Sequence, residues 1–148
     1  MSTEISLIVG LLDQAFDHKA WHGTNLKGAL RGMTAAEAVW RPDEGRHNVW
    51  EIAVHCAYWK YAVWRRLTGA KRGSFAMKGS NWFARPVSGV DLPAAWKADF
   101  TLLVNMHRQL REVIRGVSVT DRNAAILTGI AAHDLYHAGQ IQLLKRLR

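Results

Sequence analysis

His133-Asp134-Leu135-Tyr136-His137-Ala138-Gly139-Gln140, near the C-terminus of a 148-residue chain, is the stretch from which the fold is read. Two imidazoles four residues apart leave the same face of a helix, because four residues bring the chain back almost to the same azimuth. The spacing around them extends the pattern: Ile126, Ile130, His133, His137, Gln140, Leu144 and Leu147 follow one another at intervals of four and three. That is the period of a helix turning one stripe inward. Both histidines are therefore expected at interior positions. A buried imidazole costs free energy unless each ring nitrogen has a partner, and a metal ion shared by two rings is such a partner.

Upstream of this stretch the chain divides into further helical segments. Ile5, Ile8, Leu12, Ala15 and Phe16 have helical spacing and predict a first helix from Glu4 to about Trp21, with a stop and restart at Gly23-Thr24-Asn25. Thr34-Ala35-Ala36-Glu37 has the form of a capping box, and the short piece it opens ends at Arg41-Pro42 before a turn through Asp43-Glu44-Gly45. Asn48-Val49-Trp50-Glu51 repeats the box with Asn as cap and opens a helix that Gly69 closes, with Ile52, His55, Trp59 and Ala62 facing inward. Residues 70–90 are rich in Gly, Ser and Lys and predict a long loop, a type of segment that often borders a site. Asp91-Leu92-Pro93 starts the next helix, whose stripe of Trp96, Phe100, Leu103, His107, Leu110 and Ile114 stops at Gly116. Ser118-Val119-Thr120-Asp121 is expected to cap the last helix. Four amphipathic helices with no alternating strand pattern predict an all-α four-helix bundle, as a single domain over 1–148.

Composition narrows the function classes. A single cysteine, Cys56, forms no internal disulfide and fits a reducing, cytoplasmic setting. The N-terminal residues lack a basic leader, so no secretory signal is expected, and no apolar run approaches the roughly 20 residues that span a bilayer. The net charge of +8 raises the question of nucleic acid. The basic residues are spread along the chain, with one concentration at Arg65, Arg66, Lys71, Arg72, Lys78 and Arg85, and no nucleic-acid-binding motif accompanies them. A solvated basic surface is the first reading, an anion-attracting mouth the second, and nucleic acid the last.

Periodicity nominates four inward histidines, His55, His107, His133 and His137, and does not select a third ligand to join the last pair; His22, near the end of the first helix, is another candidate. Trp21, Trp50 and Trp59 are read as core. Glu51 is four residues before His55, where it orients that ring or acts as a base, although its capping position already explains it. Gln140, one turn beyond His137, is a candidate to hold a water or a substrate. Cys56 is rotated about 100° from His55 and is a poor ligand candidate.

The segment Trp50-Glu51-Ile52-Ala53-Val54-His55, the loop around Gly79-Ser80-Asn81-Trp82 and the segment His133 to Ile141 together resemble the DinB/YfiT-like superfamily of metalloenzymes over nearly the whole chain. The resemblance implies a divalent metal held by His55, His133 and His137, with His107 and His47 outside the ligand set. Imidazole ligands suit Zn, Ni, Cu or Fe, of which Zn or Ni is expected here. The resemblance implies two chemistries: transfer of a low-molecular-weight thiol to an electrophilic small-molecule substrate, which is the preferred reading, or metal-dependent hydrolysis. A non-catalytic, metal-stabilised binding protein is the alternative of another class. Members often form homodimers, so a homodimer is expected as well.

Overall fold

The computed structural model describes residues 1–148 and is all-helical. Six helices follow one another: α1 (Thr3–Phe16), α2 (Leu26–Leu30), α3 (Ala35–Val39), α4 (Val49–Thr68), α5 (Leu92–Arg115) and α6 (Ala124–Leu147). The four long ones pack in a cycle, with α4 against α5 and α6, and α1 against the same two. The single-turn helices α2 and α3 close one end, where α2 meets α6 and α3 meets α4 and α5.

The predicted starts and stops fall mostly where the local chemistry places them. Thr34 and Glu37 form the reciprocal capping box of α3, and Asn48 and Glu51 form that of α4. Gly69 ends α4 in the left-handed conformation at φ 72°, which a residue without Cβ adopts without penalty. Asp91 caps α5 by accepting from the amide of Ala94. Residues 70–90 contain neither helix nor strand, as expected.

Three details differ from the sequence reading. α1 ends at Phe16 rather than near Trp21, and Trp21 is fully exposed rather than in the core. Asp17, His18, Lys19 and Ala20 offer no large apolar side chain for the next inward position, so nothing rewards another turn. The last helix begins at Ala124, after Asn123, and not at the Ser118–Asp121 segment. Asn123 instead ties that segment into a turn, accepting from the Thr120 amide and donating to the Ser118 carbonyl.

The third difference matters most. The buried face of α6 is Leu127, Ile130, Ala131, Asp134, His137, Ala138 and Ile141, rotated by about 100° from the expected stripe. Ala131 and Ala138 let neighbouring helices approach closely, and the carboxylate of Asp134 is met by Lys60 from α4, so this face buries well despite its charge. The rotation puts His133 and Gln140 on the flank, half-buried, and leaves Leu147 exposed.

The core lies in two apolar clusters. One gathers Trp50, Ile52, Ala53 and Cys56 of α4 with Leu103, Ala138 and Ile141; the other gathers α1 with Val63, Leu110, Ile114, Leu127 and Ile130. Between them, Lys60, His107 and Asp134 form a buried polar layer. Lys60 and Asp134 are fully buried, 2.5 Å apart. Burial raises the Asp134 carboxyl to about 6 while the ammonium of Lys60 opposes the shift. The His107 ring stacks on Phe16 at 3.7 Å, and burial holds it well below its ordinary pKa, hence neutral.

Candidate metal centre

α4 supplies His55, and α6 supplies His133 and His137 from consecutive turns. Their Nε2 atoms converge: 3.1 Å separates those of His55 and His133, and 3.2 Å those of His133 and His137. One ligand atom from each ring lies within 4.8 Å of the others. His55 and His137 are buried and His133 is half-buried, so the cluster sits at the margin of the core, where solvent begins.

The outer nitrogens fix the tautomers of two rings. A carbonyl oxygen only accepts, so the 2.9 Å bond between His55 Nδ1 and the Asn81 carbonyl puts the proton on Nδ1 and leaves the Nε2 lone pair free. Gln140 Oε1, 2.7 Å from Nδ1 of His137, does the same for that ring. Burial depresses all three pKa values, that of His55 to about 4 and that of His133 to about 3, and the nearness of the other rings lowers His133 further. His137 is lowered too, with its bond to Gln140 opposing the shift. Near neutral pH all three imidazoles are uncharged.

Three neutral rings aimed at one another cannot satisfy themselves. With lone pairs on His55 and His137, a proton on His133 Nε2 can be donated to only one of them, and the other faces a like dipole. A cation among the three nitrogens is attractive to all of them. The spacing fits: ligand bonds of about 2.0–2.1 Å place neighbouring nitrogens about 3.3 Å apart in a tetrahedral site and about 2.9 Å apart at right angles. The Nδ1 of His133 is buried without a partner, as is Oδ1 of the adjacent Asp134.

The loop of residues 70–90 covers the cluster and is fixed to it. Trp82 lies flat between two imidazoles, stacked on His55 at 3.8 Å and on His47 at 3.6 Å. Asn81 adopts φ 66°, its carbonyl holds His55, and its side-chain oxygen accepts from the indole N–H of Trp59 at 2.9 Å. Trp59 is thus half-buried, packed between the site and the second core cluster.

The other candidates fall elsewhere. Glu51 serves its helix cap, pairs with Arg41 at 2.8 Å and receives His47 at 3.1 Å; these contacts give it a structural task and no place at His55. Gln140 orients His137, a role more specific than holding water. His107 is remote from the cluster on α5 and His22 is exposed, so neither joins the set. Cys56 is buried, and its sulfur lies within 4.8 Å of ligand atoms of His133 and Asp134, closer to the site than its helix azimuth suggests; burial pushes its thiol pKa up, and the neighbouring Asp134 pushes it further. The charged layer of Lys60 and Asp134 was missed by the pattern reading. Its signal lay in plain view: Lys60 continues the Ile52, Cys56 spacing on α4, and Asp134 lies between Ile130 and Ala138 on α6.

On the flank formed by α6, a groove of about 690 Å³ reaches His137 and Gln140. Its lining combines apolar Ile52, Trp82, Tyr136, Leu143 and Leu144 with polar Asp43, Arg46 and His47.

The sequence profile of the DinB superfamily matches residues 19–141, and the chain belongs to that superfamily. The match takes in all three histidines and the loop that covers them. No curated protein and no solved structure matches the chain.

Proposed function

We propose that His55, His133 and His137 hold one divalent ion, Zn or Ni, and that the protein is a metal-dependent enzyme that transfers a low-molecular-weight thiol to an electrophilic small molecule. The observation that carries the reading is the convergence of three neutral Nε2 donors at 3.1 and 3.2 Å beside an open groove. Imidazole donors suit Zn and Ni, and three protein ligands leave a coordination position for a reactant, whereas closed structural sites commonly use four. A bound ion supplies positive charge that lowers the pKa of a thiol or water at the site.

The protein's own residues set the rest. Gln140 and the Asn81 carbonyl hold two rings with their lone pairs inward, Trp82 closes one side against water, and the groove walls of Ile52, Tyr136 and Leu143 receive an apolar electrophile next to His137. In the transfer, the thiol loses its proton to solvent, its sulfur forms a bond to the electrophilic carbon, and the leaving group departs with the electron pair. No helix is long and apolar enough to cross a membrane.

The test is a panel of low-molecular-weight thiols against alkylating electrophiles, with Zn- or Ni-loaded protein. The proposal expects product formation above the uncatalysed rate that disappears on chelation and in His137→Ala. Metal-loaded protein that melts higher than the metal-free form but never exceeds background with any thiol is instead a metal-stabilised binding protein.

A further inference from the structure

A second cavity, of about 590 Å³, opens between the C-terminal half of α4 and residues 72–80. Its fourteen lining residues include Arg65, Arg66, Arg72 and Lys78 and not one carboxylate. Eight other cations of the chain, Lys27, Arg41, Arg46, Lys60, Arg85, Arg111, Arg115 and Arg148, each have a carboxylate within 4.0 Å; none of these four has one. A net charge of +8 requires unpaired cations somewhere, but it does not require four around one cavity.

Arg65 and Arg66 have a structural explanation, since cations complement the negative end of a helix dipole in its last turn. Arg72 and Lys78 do not, because the loop brings them there. The loop is held in place: the Ser74 amide donates to the Tyr61 hydroxyl at 3.2 Å, the Ser74 hydroxyl lies 3.1 Å from the same oxygen, and Phe75 packs against Tyr58, Tyr61 and Phe83. The cations of loop and helix therefore face one cavity with an aromatic floor. Like charges so arranged repel, and a multiply charged anion relieves them all.

We propose that this cavity is a binding site for a small polyanion, a phosphate ester or a polycarboxylate, gripped by Arg65, Arg66, Arg72 and Lys78 with its less polar part on Trp59 and Phe75. The site stands independently of the metal reading. Trp59 separates the two, its ring centroid 6.4 Å from that of His55 and 6.3 Å from that of His133.

The test is calorimetric titration of the full chain at low salt with ATP, pyrophosphate and citrate. Saturable one-to-one binding of at least one probe is expected. Preference for ATP or pyrophosphate assigns phosphate chemistry, and preference for citrate assigns carboxylate chemistry. Arg72 and Lys78 are exposed, so Arg72→Ala/Lys78→Ala folds, and it should weaken binding by about tenfold or more. Lys19→Ala/Arg122→Ala, which removes the same charge elsewhere on the surface, should leave it nearly unchanged. Protein stripped of metal should keep the affinity, so that failure of the metal proposal and failure of this one are separable. Absence of saturable binding, equal weakening by both double variants, or loss of binding in protein stripped of metal overturns the proposal.

Discussion

The Nδ1–H of His55 donates to the carbonyl of Asn81, 2.9 Å away and twenty-six positions further along the chain. This bond joins α4 to a loop without regular secondary structure and decides which nitrogen of His55 faces the cluster. Asn tolerates the left-handed backbone at this position, whereas a β-branched residue there is strained. Asn81→Val is expected to displace the carbonyl and weaken metal affinity by about tenfold or more, the range typical of groups that orient a ligand. Asn81→Gly, which keeps the backbone freedom but loses the Trp59 contact, should retain more of it. Competition with a metallochromic chelator measures both.

Gln140 acts on His137 as Asn81 acts on His55. Gln140→Leu removes the acceptor and leaves the Nδ1 proton without a partner, so affinity should fall by roughly 10- to 100-fold. Because Gln140 is only half-buried, the melting temperature of the metal-free protein should change little. A large drop in that temperature would mean that the glutamine is chiefly structural.

The buried pair of Lys60 and Asp134 separates two kinds of stability. Lys60→Met strands a carboxylate in the core and should cost about 3–5 kcal/mol. The double variant Lys60→Met/Asp134→Leu removes both charges and should recover most of that loss. Urea unfolding of wild type, both single variants and the double variant completes the cycle, and a double variant no more stable than Lys60→Met would show that the pair contributes net attraction.

Acid should destabilise the metal-free protein in a defined window. The unfolded histidines take up protons below about pH 6.5, while His55 and His133 in the folded state resist until about 4 and 3. Between those limits the unfolded chain binds more protons, so stability falls as the pH falls. Melting temperatures measured from pH 7 to pH 4 should decrease steadily, and His133→Leu should show a shallower slope.

The helices were legible because their signals are local. Capping boxes at Thr34 and Asn48, the glycine after Thr68 and the proline after Leu92 act within a few residues, and each stands where the pattern put it. The pairing of His133 with His137 was legible for the same reason. The azimuth of α6 was not, because it depends on how closely Ala131 and Ala138 allow neighbours to pack and on a lysine seventy-four residues away that makes Asp134 tolerable inside. The choice of His55 over His107 was also beyond periodicity: both rings point inward, but only α4 lies alongside the two imidazoles of α6, while His107 stacks on Phe16. The hold of the 70–90 loop on His55 runs through a backbone carbonyl, a group that every residue carries and that no side-chain pattern reveals.

The central claim is that three histidines form one cation site, and metal content tests it most directly. Untagged protein, equilibrated with Zn or Ni, desalted and assayed by inductively coupled plasma mass spectrometry, should carry about one ion per chain. His55→Ala, His133→Ala and His137→Ala should each lose most of it while remaining helical by circular dichroism. A wild-type chain that emerges metal-free from both ions, or a His133→Ala/His137→Ala variant that keeps a full equivalent, would contradict the account.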